Sequence, residues 1–372
     1  MVTCFPNFPA GKVYEGYKNR LWQWEEMDGI RVLRVWSYIT ANQGFVKRTL
    51  GYISYMISAS LAAPFACKPD IVIGTSPQFF TVCAAWMVSR LRRVPFVFEL
   101  RDLWPESIRA VGAMQDSFLF RSLERLELFL YRKAAAVVSV TRSFKEILVE
   151  RGVPAGKIHV ITNGLDAGRF MPTDKDLELL RKHRLEGRFV AGYIGTHGMA
   201  HSLETLLLAA REISAIQEGQ EVSFLFLGDG ANKNNLVAQA SEIGLTNVIF
   251  VDSVPKSEVV RYWSLLDVSI IHLKKTDLFK TVIPSKIFES IGMGLPILLG
   301  VQGESADIVQ FNGVGELFEP ENASELAGKI LTLKRDDGRY QAMKRSCAVA
   351  AKLYDRTALA RKMLEILKSV ID

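Results

Sequence analysis

Lys286 and Glu289 stand three residues apart in Pro284-Ser285-Lys286-Ile287-Phe288-Glu289, a stretch with helical spacing that Ser285 could cap. A lysine at a helix N-terminus is electrostatically misplaced unless an anion sits beside it. A carboxylate one turn later can take two vicinal hydroxyls, as a ribose offers. One turn with both groups reads as a nucleotide grip; the plain alternative is a surface salt bridge. A second candidate is Gly195-Thr196-His197-Gly198, between a predicted strand (189–194) and a helix starting near 202. Such a turn presents backbone N–H groups that suit a phosphate, with His197 as a further donor. A simple tight turn fits the same residues. A third is Glu99-Leu100-Arg101-Asp102-Leu103-Trp104-Pro105-Glu106, at the end of a predicted buried strand. Arg101, Asp102, Trp104 and Glu106 are more charge and aromatic surface than a turn needs. Asn163-Gly164-Leu165-Asp166 reads as a turn, its Asp166 able to accept backbone N–H bonds.

Other patterns carry less. Asp174-Lys175-Asp176 lies in a polar connection, not at a strand end. No His/Cys group has zinc spacing, so no metal is expected, and no cofactor. There is no G-x-S-x-G elbow and no signature of a nucleic-acid-binding domain.

The elements that must position these residues alternate. Short apolar runs at 30–36, 70–74, 95–100, 136–140 and 158–161 read as strands separated by helices at 48–63, 78–91, 117–133 and 145–151. The pattern restarts with strands at 189–194, 222–228, 248–251, 268–272 and 296–299. Helices fall between them, and two more, the second broken near 354–355, end the chain. Runs this short and unalternating mark parallel sheets buried on both faces. The fold class is α/β, with two doubly wound Rossmann-like halves facing each other and joined near 164–173. The expected domains are 1–165, 166–345 and a final helix, 346–372, that crosses back to the first.

With 46 Lys and Arg against 40 Asp and Glu, the 372 residues carry +6. Residues 1–165 hold +8 of this (21 basic, 13 acidic) and residues 166–372 hold −2 (25 and 27). A basic first half suits an anionic partner such as a membrane surface. Residues 50–67 lack charge but contain three serines and a proline, so a peripheral or buried helix is expected rather than a span. Cys4, Cys67, Cys83 and Cys347 are far apart and read as reduced and buried, as in a cytoplasmic protein.

In order, the segments "DLWPES", "ITNGLDAGRF", "YIGTHG", "FLGDG", "VPKSEVVRYWSLLDVSII" and "PSKIFESIGMGLPIL" resemble retaining glycosyltransferase family 4. Within that family the chain looks like the bacterial surface-polysaccharide branch, which includes O-antigen N-acetyl-L-fucosamine transferases. The resemblance implies a metal-free GT-B fold. Glu289 would hold the ribose, and Lys286 and Gly195–Gly198 would lie by the diphosphate. Ser253 and Val254 would meet the base, taken to be uridine, through their backbone. Asp102 and its neighbours Arg101, Trp104 and Glu106 would line the acceptor side. The acceptor would be a saccharide on a polyprenyl diphosphate, reached by a peripheral enzyme at the inner face of the bacterial plasma membrane. Three departures stand out. Position 281 is Thr where relatives carry a first Glu. Arg101 replaces a His. Relatives also begin earlier, with a strand and a Gly-rich loop, so an unfilled sheet position is expected. The rival functions are a nucleotide-sugar 2-epimerase and an inactive scaffold.

Overall fold

The computed structural model describes residues 1–7, 11–40, 45–66, 68–103 and 118–371. They divide into two compact units, Met1–Ile161 with Lys362–Asp372, and Thr162–Arg361.

The first unit holds two sheets. β1 (Val2–Cys4), β2 (Trp22–Met27) and β3 (Ile30–Val35) lie in the order β1-β3-β2, with β1 parallel and β2 antiparallel to β3. This corrects the all-parallel expectation, which took only residues 30–36 as a strand. Asp28 (φ 50°) and Gly29 (φ 76°) make the left-handed two-residue turn that matches strand twist. β4 (Val72–Thr75), β5 (Phe96–Leu100), β6 (Ala136–Ser139) and β7 (Ile158–Val160) form the second sheet, parallel throughout and in that order. Around them lie α1 (Phe45–Ala62), α2 (Phe79–Arg92), α3 (Phe118–Lys133) and α4 (Arg142–Glu150). The α4 start is set by Thr141, whose hydroxyl accepts from Phe144 N at 3.0 Å. Phe96, Phe98 and Leu100 on β5 bury against Leu130, Tyr131 and Leu148. No helix of the described residues is long and apolar enough to cross a membrane. Cys83 and Cys347 are buried free thiols, but Cys4 is only half-buried; Cys67 lies outside the described residues.

The second unit is built on one six-stranded parallel sheet. Its strands are β8 (Phe189–Ile194), β9 (Val222–Leu227), β10 (Val248–Val251), β11 (Val268–His272), β12 (Ile297–Gly300) and β13 (Gly315–Leu317). The order is β10-β9-β8-β11-β12-β13. The chain winds outward from β8 to β10, then returns to β8's other side with β11. That reversal opens a crevice at the strand C-termini, where ligands of such sheets bind. The helices are α5 (Leu177–Lys182), α6 (Glu204–Ser214), α7 (Lys233–Glu242), α8 (Val259–Trp263), α9 (Lys286–Gly292), α10 (Glu304–Asn312), α11 (Ala323–Arg335), α12 (Asp337–Leu353) and α13 (Arg356–Ile371). Both faces of the sheet are covered, by Leu206, Leu207, Ala210 and Ile330 on one side and Trp263, Leu265 and Leu266 on the other. The last helix ends in the first unit. There Met363, Ile366, Leu367 and Val370 pack on Val97, Ala136 and Val138.

Candidate active site

The crevice at the β8/β11 switch widens into a cavity of about 650 Å³. Gly195 and Thr196 after β8, Leu273 after β11, and Pro284, Ser285, Lys286 and Glu289 around α9 form much of its wall. Asp166, Arg169 and Arg356 complete the charged part; Val254, Lys256 and Val259 line another side.

Lys286 is half-buried and held tightly. Its ammonium donates to Tyr193 Oη at 2.7 Å and lies 3.9 Å from the centroid of that ring. The Tyr193 hydroxyl donates in turn to the Thr196 carbonyl at 2.8 Å, tying the lysine to the turn after β8. Gly195 has φ +146°, and a Cβ there would sit 2.3 Å from Lys286 Cε. The glycine is what lets the lysine cross the turn. Burial pushes the Lys286 pKa down to about 7, against a partial opposing pull from Glu289. Burial also raises the Glu289 pKa, while Lys286, Arg356 and Arg169 hold it back.

Arg169 carries an Nη2 that is buried and has no hydrogen-bond partner. A buried guanidinium nitrogen with no hydrogen-bond partner on a cavity wall is a donor that an anion could satisfy. The junction sequence aims it there. The Asp166 carbonyl accepts from the N–H of Arg169 and Phe170, at 3.0 and 2.8 Å, making the tight turn through its main chain. Leu165 N donates to the Tyr354 carbonyl and Arg356 N to the Leu165 carbonyl, both at 2.9 Å. A Cβ on Gly164 would meet Tyr354 O at 2.4 Å, so this close approach needs glycine. The break between α12 and α13 thereby brings Arg356 to the same wall.

The structure thus gathers Gly195, Thr196, Val254, Ser285, Lys286 and Glu289 around one cavity. It separates others. Ser285 does not cap α9: its backbone is already helical and its side chain makes no capping bond. His197 is fully buried, and neither ring nitrogen has a partner. Its ring lies among Tyr193, Phe226 and Phe250, at 5.9 to 6.4 Å, and is not part of the cavity wall. Burial, helped by Lys233 and Lys286, pushes its pKa down to about 4, so it is a neutral core residue. Gly198 and Ser253 are also absent from the wall; Ser253 is exposed. The turn gains its shape from Gly228 and Gly230, where a Cβ would strike Gly195 O at 1.9 Å and His197 O at 2.5 Å. Thr281 does not replace the expected carboxylate at the wall; its hydroxyl donates to Leu278 O at 3.1 Å within its own turn. Asp176 caps α5 through Leu179 N and pairs with Arg261.

Arg101 and Asp102 belong to the first unit, at the C-terminal end of β5. The Ser76 hydroxyl accepts from Arg101 N at 2.9 Å and orders this bend. Arg101 is 3.8 Å from Glu99, whose other oxygen accepts from Thr75 at 2.7 Å. Trp104 and Glu106 lie outside the described residues. Arg169 and Arg356 on the wall, and Tyr193 behind Lys286, were missed in the sequence. For Arg169 the signal was the Asn-Gly-Leu-Asp turn itself, with Arg three residues after Asp.

Two α/β units, each with a parallel sheet, and a cavity at the switch point of the second fit the GT-B class of glycosyltransferase folds. Residues 9–164 match the glycosyl transferase 4-like domain and residues 176–348 match the glycosyl transferases group 1 domain. The chain belongs to the glycosyltransferases that these two domains make up. It is 23% identical over 282 residues to the probable glycosyltransferase WbjE of Pseudomonas aeruginosa, covering 74% of this chain and 69% of that one. It is 24% identical over 259 residues to the putative teichuronic acid biosynthesis glycosyltransferase TuaH of Bacillus subtilis, covering 68% and 62%. The chain therefore spans under two thirds of TuaH. The structure of Anabaena Alr3699/HepE in complex with UDP superimposes with a TM-score of 0.70 at 18% identity, covering 86% of this chain and 84% of that one.

Proposed function

We propose that the enzyme transfers a sugar of the hexose or N-acetylhexosamine type, with retention, from a UDP-linked donor to a lipid-linked saccharide in surface-polysaccharide assembly. The observation that carries this reading is the wall shared by Lys286, Arg169 and Glu289: two cations for a diphosphate, one with a buried Nη2 that makes no hydrogen bond, and a carboxylate for a ribose. UDP in the HepE structure supports the choice of base, and teichuronic acid biosynthesis in the name of TuaH supports a role in polysaccharide assembly. In the reaction, the bond from the anomeric carbon to the diphosphate breaks as the acceptor oxygen bonds that carbon from the same face. The acceptor proton passes to the departing diphosphate. The carboxylates on the described wall are Asp166 and Glu289, and neither is assigned as a nucleophile; the cations stabilise the leaving charge instead. Asp102 and Arg101 are assigned to the acceptor side.

Calorimetry with UDP and GDP tests the donor half. Saturable UDP binding, tighter than GDP, is expected; a folded protein that binds neither defeats the reading and favours a scaffold. Incubation with UDP-sugars and no acceptor should leave the donor's stereochemistry unchanged, where an epimerase would interconvert it.

Peripheral membrane binding has a physical basis in the first unit. Residues 29–98 contain eight Lys and Arg and one acid, Asp70. Leu61, Phe65, Met87 and Leu91 are exposed by 69, 82, 44 and 62% on α1, α2 and the turn after α1, and Ser60 Oγ touches Met87 Sδ at 4.0 Å. Arg90, Arg93 and Lys68 are exposed beside them. At ~1 kcal/mol per cation near an anionic surface, Arg90→Ala with Arg93→Ala should weaken binding to phosphatidylglycerol vesicles roughly 30-fold. Unchanged sedimentation would refute the membrane assignment.

A further inference from the structure

Ala200 and His201 on the cavity wall come from one short helical turn, Met199–His201, between β8 and α6. Within it, His201 N donates to Gly198 O at 3.0 Å. The next residue, Ser202, is held at φ 44°, a left-handed conformation that an L side chain keeps only where its surroundings impose it. This turn is therefore fixed from outside.

Lys274, Glu321 and His272 fix it. Lys274 N donates to the Ala200 carbonyl at 2.9 Å. The Ser202 hydroxyl donates to Glu321 Oε1 at 3.0 Å, and Glu321 is itself left-handed, at φ 67°. His272, the last residue of β11, is buried, while Leu273, next in the chain, reaches the wall. Both nitrogens of the His272 ring are committed. Nε2 faces Glu321 N at 2.9 Å, a main-chain N–H that can only donate, so Nε2 accepts. The neutral ring then carries its proton on Nδ1, which donates to the His201 carbonyl at 2.7 Å. Burial favours the neutral ring by lowering its pKa, against the His201 carbonyl and the Glu321 and Glu204 carboxylates, which raise it. Phe318 stacks on the ring with centroids 5.7 Å apart, and a Cβ on Gly300 would stand 2.5 Å from His272 Cδ2. His201 in turn packs edge-on against Tyr193 at 5.8 Å, and Tyr193 holds the Lys286 ammonium.

We infer that His272 is a positioning residue for the donor site: it clamps the 199–202 turn so that Ala200 and His201, and through Tyr193 also Lys286, stand in place before the donor arrives. A preset wall spares the donor the cost of ordering that turn on binding. The inference rests on the nucleotide-sugar reading of this cavity.

Two variants separate this role from simple filling of the core. His272→Phe keeps the bulk and the stacking on Phe318 but leaves the His201 carbonyl and the Glu321 amide unpaired. His272→Asn gives up bulk and stacking yet puts an N–H where Nδ1 stands. Core filling predicts that asparagine does more harm; positioning predicts the reverse. By calorimetry at pH 7, stranding a buried carbonyl should lower UDP affinity roughly tenfold or more in His272→Phe, while His272→Asn stays within about threefold of wild type. Without nucleotide, amide exchange should quicken at His201 and Lys274 in His272→Phe and not in His272→Asn. Ring-nitrogen NMR of the free wild type should show His272 as the Nδ1–H tautomer. Wild-type affinity in His272→Phe would overturn the inference. Should that variant not fold, the other two measurements decide: weak UDP binding by a folded His272→Asn, or an Nε2–H tautomer, overturns it as well. A wild type that binds no UDP defeats the donor reading itself, and this inference with it.

Discussion

Lys286→Met is expected to lower turnover by roughly 10²–10³-fold, the usual loss when one preorganised donor to a developing oxyanion is removed. The substitution keeps the length and apolar stem of the side chain, so packing over Gly195 and against Tyr193 survives. What goes is a charge that the cavity holds at a cost. The shift of Lys286 from the ordinary lysine value of 10.5 to about 7 corresponds to about 5 kcal/mol against the charged form. A diphosphate arriving beside the ammonium reverses that preference. The charge is thus strongest when the leaving group needs it and weak in the empty site.

A pH dependence follows. The bound state favours the protonated lysine, so its pKa rises on binding. Below pH 7 the free enzyme already carries the proton, and donor affinity is at its maximum. As pH rises above 7, binding must take up a proton, and affinity falls up to tenfold per pH unit until the bound-state value is reached. A UDP-sugar is the right probe, because its diphosphate does not titrate in this range. Calorimetry at pH 8 in buffers of different ionisation enthalpy should show uptake approaching one proton, and Lys286→Met should abolish it. Equal affinity at pH 6 and pH 9 would remove Lys286 from the diphosphate site.

The two readable features of the site were local ones. Lys286 and Glu289 lie one helical turn apart, and that spacing survives any tertiary arrangement. The parallel sheet of the second unit was legible because its strands, such as Val222–Leu227, are continuous apolar runs buried on both faces. The antiparallel β2 escaped because Trp22-Gln23-Trp24-Glu25 is half exposed and polar, although Asp28-Gly29 signalled its turn. His197 escaped for another reason. Its neighbours in sequence are glycine and threonine, which suggest an open turn. Its neighbours in space are Tyr193, Phe226 and Phe250, which no local pattern brings together. Arg169 was hidden in the same way: its unpaired nitrogen depends on how Gly164 fits against Tyr354, some 190 positions later.

Glu289→Gln is expected to weaken UDP-sugar binding by about 10- to 150-fold, the range set by a hydrogen bond to a charged group at ~1.5–3 kcal/mol. Glutamine preserves shape and one acceptor oxygen, so a purely structural role would leave affinity nearly intact. The chemistry under test is narrower than affinity. A carboxylate can accept from the two vicinal hydroxyls of a ribose through its two charged oxygens, whereas an amide has one neutral acceptor oxygen and an NH2 that donates. The 2′-deoxy analogue of the donor should therefore bind the wild type more weakly than the donor itself, yet cost Glu289→Gln little further. That shortfall is the coupling between Glu289 and the 2′-hydroxyl, read as a double-mutant cycle. Additive losses would place Glu289 away from the ribose. Removing the carboxylate also has a second consequence that can be measured on the same samples. Glu289 is the group that opposes burial in setting the Lys286 pKa. Without its charge the lysine loses its proton at lower pH, so the affinity maximum of Glu289→Gln should move toward acid. A weaker donor site whose pH profile is unmoved would separate the two residues that share this turn of α9.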